Sequence, residues 1–161
     1  MVKLVYVKTQ IDLEHIKRLF LEYAGSLEFD LHFQNFEAEL RTLPGDYAPP
    51  AGCMVLAMDG DEAVGCVALR PLTQAVCEMK RLYVQPGSRG KGIGRMLADA
   101  VVCKAAGLGY TCMKLDTVSS MTEAKALYES MGFKQIEAYR HNPVAGAVYF
   151  ELDLVEKEAR K

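Results

Sequence analysis

The chain has no tryptophan, only three histidines, five cysteines and no long block of like charge. Each scarcity excludes something. Cys53, Cys66, Cys77, Cys103 and Cys112 stand singly in apolar surroundings, without metal-ligand spacing, and an odd number cannot close into a complete disulfide framework. They are expected to be buried, reduced thiols. His141 has no partner at ligand spacing, so no metal is expected. The net charge of −2, with no basic tail, argues against nucleic acid as a main partner. No apolar run approaches the roughly twenty residues of a membrane span. Met1-Val2-Lys3 leads into a strand-like run rather than a signal peptide. The expectation is a cytoplasmic protein with no membrane partner.

What is present suits one domain over 1–161: half of the residues are hydrophobic, and there is no internal repeat. Val2 to Val7 alternates like a strand, and Ile11, Ile16, Leu19, Phe20 and Tyr23 recur at helical spacing, predicting an amphipathic helix from about Asp12 to Ala24. Leu31 to Leu40 reads as a shorter helix with Asp30 as its N-cap. The prolines of Leu43 to Pro50 rule out regular structure there. Cys53–Met58 and Ala63–Leu69 are strands about an Asp59-Gly60-Asp61 turn, and Cys77–Val84 is a third. A helix then carries Ile93, Leu97, Ala100, Val101 and Ala105 on one face, and Tyr110–Val118 is the next strand. Ser120-Met121-Thr122-Glu123 is a capping box for a helix ending at Gly132. Phe133–Tyr139 and Ala147–Leu154 are the last strands. The order β-α-α-β-β-β-α-β-α-β-β is that of a mixed α/β (α+β) sheet with helices packed on it.

The stretch EMKRLYVQPGSRGKGIGRML, Glu78 to Leu97, is the least expected on stability grounds. Gly90, Gly92 and Gly94 stand at a helix start, and a glycine inside a helix is worse than alanine by about 0.5–1 kcal/mol. They make sense where backbone must approach something large, and a helix N-terminus flanked by Arg89 and Lys91 suits a pyrophosphate. A P-loop would need Lys-Ser or Lys-Thr where Arg95-Met96 follows Gly94. A Rossmann fingerprint would need glycine at Arg95, although Asp116 lies where a ribose-binding acid would fall. What matches is Arg-x-x-Gly-x-Gly, carried by Arg89, Gly92 and Gly94. Together with Ala126-Leu127-Tyr128-Glu129-Ser130-Met131-Gly132-Phe133, this resembles the GNAT superfamily of N-acetyltransferases over nearly the whole chain.

The resemblance implies a mostly antiparallel mixed sheet with helices on both faces, and acetyl-CoA as co-substrate. It places Leu82, Tyr83 and Val84 along the pantetheine arm and gives the backbone of Gly90, Lys91, Gly92, Ile93, Gly94 and Arg95, beside Arg89, to the pyrophosphate. Acetyl transfer needs a neutral amine, and an alkyl amine is only about 0.1% neutral at pH 7, a deficit of roughly 4 kcal/mol. The departing thiolate needs a proton or equivalent stabilisation. Tyr128 matches the family's tyrosine acid. Glu78 matches a glutamate base used by several members, with Asp116 as its rival. Alternation puts Glu78 on the face of Lys80, Leu82 and Val84, and a structural reading pairs it with Lys80 or Arg81. Many relatives have asparagine where Met121 stands, so one familiar cofactor contact is missing. Glu28, Asp30, Phe33 and Gln34 on one side, and Tyr139 to Asn142 on the other, are candidates for the acceptor wall, with Tyr47 to Pro50 as a lid and Arg70, Arg81 or Arg140 to grip a carboxylate. A small-molecule amine leads. A peptide amine, a non-catalytic acyl-CoA sensor, a dinucleotide-binding domain and a homodimeric assembly remain open.

Overall fold

The computed structural model describes residues 1–27, 35–119 and 121–155. Seven strands form one sheet in the order β1-β2-β3-β4-β5-β7-β6. β1 (Val2–Tyr6), β2 (Cys53–Asp59), β3 (Glu62–Pro71) and β4 (Val76–Val84) are successively antiparallel. β5 (Cys112–Val118) runs parallel to β4, and β7 (Ala147–Asp153) is antiparallel to both β5 and β6 (Lys134–Ile136). Among the described residues, α1 (Gln10–Ser26) and α2 (Phe36–Thr42) cover one face, while α3 (Ile93–Gly107) and α4 (Thr122–Ser130) cover the other. This is the expected mixed, mostly antiparallel sheet with helices on both faces.

Local chemistry explains most element ends. α1 starts two residues before the apolar stripe suggested, because Thr9 closes a capping box with Asp12: Thr9 Oγ1 accepts from the Asp12 N–H at 3.1 Å, and the Asp12 carboxylate accepts from the Thr9 N–H at 3.1 Å. α2 opens at Phe36 with Asn35 at its cap; Asp30, the expected cap, lies outside the described residues. Ser120 of the expected capping box also lies outside them, and α4 begins at Thr122 with Met121 making no side-chain cap. β6 ends at Ile136 rather than Tyr139, since Tyr139 and Arg140 turn away to a buried partner described below. The five thiols are free; Cys53, Cys66 and Cys77 are buried, Cys112 is half-buried, and Cys103 is exposed, against the expectation for it.

Each face has its own apolar cluster. Leu97, Val101 and Ala105 of α3 pack with Leu69, Leu115 and Phe150, while Ile16, Leu19 and Phe20 of α1 pack with Leu56, Cys66 and Ala68. Tyr47 is packed in the second cluster, edge-on to Phe20 at 6.2 Å, so the proline-rich segment is a strap against the core and not a lid.

Two departures from regularity shape the middle of the sheet. β4 and β5 pair only from Val76–Cys112 to Glu78–Lys114, and beyond that the strands part. The β3–β4 register also shifts between Cys66 and Ala68, where Arg81 has φ +62°. This bulge inverts the alternation along β4. Glu78 and Lys80 stand opposite Arg70 and Ala68 on the α1/α2 face, whereas Leu82 and Val84 turn to the α3/α4 face with Met79. The expected common face for Glu78, Lys80, Leu82 and Val84 is therefore incorrect. A non-glycine residue in this conformation costs on the order of 1 kcal/mol or more. Arg81 is held there by two bonds to Glu39, at 3.0 and 2.9 Å, and by lying 5.3 Å over the Phe36 ring.

Gly65 lets α3 lie close to the sheet at this point: a Cβ there would meet Tyr83 O at 3.0 Å and Leu97 Cδ1 at 3.1 Å. Gly65→Ala should overpack the junction and destabilise the fold by about 1–3 kcal/mol, several degrees in Tm, measured by thermal unfolding. An unchanged Tm would mean that the helix gives way without cost.

Candidate functional site

Where β4 and β5 part, a cleft of about 520 Å³ opens toward the α3/α4 face. One wall is β4 itself through Leu82, Tyr83 and Val84; the end is the loop from Ser88 to Gly94; the other wall is α4 from Thr122 to Leu127. Parted strands leave backbone N–H and C=O groups that an extended ligand can pair with, as an added strand would. Gly90 and Gly92 have φ +80° and +79°, and a Cβ at either would meet no atom within 4 Å. The loop needs glycine for its conformation and leaves open space in front of its backbone. Gly92 caps α3, whose first N–H groups have no partners within the helix. A phosphate suits that end by charge and by hydrogen bonding. The site therefore fits a nucleotide pyrophosphate followed by an extended arm.

Of the residues the sequence assigns to the cofactor, Leu82, Tyr83, Val84, Arg89, Gly90, Gly92, Ile93 and Gly94 line the cleft. Arg89 is set against its wall, with Nε donating to Val84 O at 2.8 Å and the guanidinium 5.8 Å from the Tyr83 ring. Lys91 and Arg95 do not line it; Arg95 donates to Asp99 at 3.3 Å and to Ser130 at 3.1 Å.

A smaller cavity of about 50 Å³ adjoins the deep end and shares Tyr23, Leu82, Met121 and Ala124 with the cleft. It brings together Tyr128 from α4, Asp116 from β5 and Lys80 from β4. Tyr128 packs against Phe133 and Phe150, and burial pushes its hydroxyl above the ordinary phenol value, so it is protonated at neutral pH. Asp116 is half-buried and accepts from Asn142 Nδ2 at 3.1 Å. Burial, reinforced by Arg81 and Arg70 and opposed by Glu78 and Asp116, pushes the Lys80 ammonium down to about 7.

Glu78 has a different setting. It is fully buried and lines neither cavity. Its carboxylate accepts from Arg70 Nε at 2.7 Å, from the Tyr139 hydroxyl at 2.5 Å and from Arg140 Nη2. Burial alone would raise this carboxyl, but Lys80, Arg140 and Arg70 together hold it below the ordinary carboxylate range. Its bonded partners are thus Arg70, Arg140 and Tyr139; Arg81 goes to Glu39 instead. Asn142, through Asp116, and Tyr139 and Arg140, through Glu78, fasten the loop between β6 and β7 to the fork. The other expected acceptor wall, Glu28, Asp30, Phe33 and Gln34, lies outside the described residues.

Sequence reasoning missed Tyr23 and Lys80. Tyr23 falls on the apolar stripe of α1 and reads as core, yet it borders both cavities. Lys80 reads as a partner of Glu78, and nothing in its neighbourhood signals the bulge that turns its strand. Met121 borders both cavities where the family commonly has asparagine.

Residues 13–133 match the family model for the acetyltransferase (GNAT) family. An uncharacterized N-acetyltransferase of Schizosaccharomyces pombe is 43% identical over 150 residues, 92% of each chain. An acetyltransferase of the GNAT family from Staphylococcus aureus has the same fold, with a TM-score of 0.80 at 18% identity over 96% of this chain and 99% of that one. A putative acetyltransferase from Salmonella typhimurium, solved with its cofactor acetyl-CoA, aligns with a TM-score of 0.70 at 16% identity over 95% of this chain and 94% of that one. With the glycine loop and the Tyr128 helix both inside the matched span, the chain belongs to the acetyltransferase (GNAT) family and is an acetyl-CoA-dependent N-acetyltransferase.

Proposed function

We propose that the enzyme acetylates the primary amine of a small molecule by direct attack in a ternary complex. The observation that carries this reading is the junction of the two cavities: the cleft end shaped for a pyrophosphate leads along β4 to a small cavity holding one acidic and one basic candidate. Acetyl-CoA supplies an acetyl thioester. The Gly90–Gly94 backbone holds its phosphates, and main-chain groups of Leu82 to Val84 pair with its arm. The amine nitrogen forms the new C–N bond as the C–S bond breaks. Tyr128 gives its proton to the departing sulfur. Asp116 faces the reacting cavity and is the better placed carboxylate to take the proton of the amine, directly or through water. Glu78, engaged by two arginines and a tyrosine, is assigned to positioning the loop between β6 and β7.

A peptide acceptor is the second reading. It is favoured by the similarity to a peptidyl-lysine N-acetyltransferase of Salmonella typhimurium, 34% identical over 62% of this chain. The small-molecule reading is favoured by the narrowness of the inner cavity, about 50 Å³, and by similarity to an N-acetylaspartate synthetase of Xenopus tropicalis, 33% identical over 65% of this chain. A product-mass screen over amino acids, polyamines, aminoglycosides and peptides separates them; preferential acetylation of peptides would overturn the first.

The residue roles give separate outcomes. Gly92→Val places a branched side chain at φ +79° before the phosphate end. Acetyl-CoA affinity by calorimetry should fall tenfold or more, against a backbone strain of about 1–3 kcal/mol in the free protein; undiminished affinity would refute the cradle. Tyr128→Phe should keep acetyl-CoA binding and lower kcat by about 10²–10⁴-fold. Asp116→Asn should lose rate mainly at neutral pH and recover as rising pH deprotonates the amine. Wild-type rates in both variants would leave positioning alone as the catalytic device.

Glu78→Gln is expected to act first on stability. Removing one partner from a buried ion pair costs about 3–5 kcal/mol. The Glu78 carboxyl is lowered on folding, so its contribution is full above the ordinary carboxylate range and disappears as pH falls through and below it. Urea unfolding between pH 7 and pH 3 should show wild type losing its advantage over the variant. A pH-independent gap would rule out the buried carboxylate as its source.

A further inference from the structure

Two tyrosines reach the fork from opposite faces of the sheet. Tyr128, on α4, belongs to the apolar cluster of the α3/α4 face, whereas Tyr23, on α1, packs against the cluster of the α1/α2 face. Both line the inner cavity, and Tyr23 also lines the cleft, so it stands at the threshold between them. Its ring is set edge-on to Tyr83 at 6.0 Å. Tyr83 is anchored in turn, its hydroxyl donating to Glu22 at 3.4 Å while Gln85 Nε2 donates to the same carboxylate at 2.9 Å. A tyrosine hydroxyl that leaves bulk water ordinarily finds a partner. Among the described residues, neither the Tyr23 nor the Tyr128 hydroxyl makes a hydrogen bond. Burial pushes the Tyr23 phenol up, with Arg81 opposing and Asp116 reinforcing, so at neutral pH it keeps its proton and is a donor.

We infer that Tyr23 is a second catalytic hydroxyl, which donates a hydrogen bond to the acetyl carbonyl oxygen as that oxygen becomes negative. This rests on the acetyl-transfer reading above, in which Tyr128 serves the sulfur and Asp116 the amine. The reaction calls for one acceptor, at the nitrogen, and two donors, at the oxygen and the sulfur. Of the charged groups around the inner cavity, Arg81 is bonded to Glu39, Lys80 offsets the charge of Glu78, and Asp116 is the acceptor. The two hydroxyls are the donors left. As the amine nitrogen bonds to the carbonyl carbon, the C=O π pair moves to oxygen and is held by the Tyr23 O–H, which keeps its proton. The pair returns to restore C=O, the C–S bond breaks, and the sulfur takes the Tyr128 proton. The amine proton passes to Asp116 and, through solvent, makes good the one Tyr128 gave.

Tyr23→Phe keeps the ring and its contact with Tyr83, so the variant tests the hydroxyl alone. With an amine found in the product-mass screen, kcat should fall by about 10²–10³-fold, the loss typical of one oxyanion donor, with KM for acetyl-CoA within about threefold of wild type. Two unreactive analogues locate the contact by calorimetry without any acceptor. One replaces the thioester sulfur by methylene and keeps the carbonyl; the other, S-ethyl-CoA, keeps the sulfur and lacks the carbonyl. Tyr23→Phe should weaken the ketone by about three- to tenfold and leave S-ethyl-CoA within about twofold. Equal weakening of both would overturn the inference, because Tyr23 would then pack against the arm. Selective weakening of S-ethyl-CoA would also overturn it, since Tyr23 would be serving the sulfur. A wild-type kcat in Tyr23→Phe beside a slowed Tyr128→Phe would overturn it while leaving acetyl transfer intact. A wild type that acetylates no amine and binds neither analogue would defeat the functional reading itself, and this inference with it.

Discussion

The structure depends on the parting of β4 from β5. Strand pairing satisfies backbone hydrogen-bonding groups, and leaving them unmet inside a protein is costly. Here the parallel ladder stops at Glu78 and Lys114, and the segments beyond form the walls of a cleft. The divergence is maintained from both sides. On the α1/α2 face, Arg81 is fixed in a left-handed conformation by Glu39 and Phe36. On the other, α3 lies close against β3 because Gly65 has no side chain. The bulge also reverses which β4 side chains face which way, so apolar Leu82 and Val84 turn toward the cleft and charged Lys80 toward the fork. Pairing, bulge and helix contact together create an extended slot with apolar walls and a polar inner end.

Buried charge is the second organising constraint. A carboxylate with no exposure is tolerable only when its desolvation is offset by partners with good geometry. Glu78 has two guanidinium groups and a phenol, supplied by β3 and by the loop between β6 and β7. The same bonds that satisfy it fasten Tyr139 and Arg140, and the Tyr149 hydroxyl donates to the Arg140 carbonyl at 3.0 Å. The loop between β6 and β7 is therefore held by charge at one end of the fork and by Asn142 on Asp116 at the other. Two carboxylates on neighbouring strands thus have distinct environments: one enclosed by cations and lining neither cavity, the other half-buried at the cavity edge. Environment distinguishes the two where residue type does not.

Local features of the chain were legible. Element order, the hairpin at Gly60, the α3 stripe and the glycine loop all follow from periodicity and turn chemistry, which act over a few residues. The Gly-x-Gly loop and the Ala-Leu-Tyr helix are short motifs, and both border the cleft. What escaped was set by contacts distant in sequence. The bulge at Arg81 depends on Glu39, forty-two residues away, and on a register with β3. An arginine gives no local sign of a left-handed conformation, as glycine would. The same is true of Glu78, whose partners Tyr139 and Arg140 are sixty-one and sixty-two residues away and end β6 early.

The amino-acid sequence by itself therefore determined the family, the fold class and the glycine loop that closes one end of the cleft, since each rests on short-range pattern. Only the tertiary structure decided which face of β4 each residue presents, which carboxylate reaches the cavity, and that Lys80 stands opposite Asp116 at the fork. Those outcomes arise from strand register and from buried charges finding partners across the fold. Neither has a local signature in the chain.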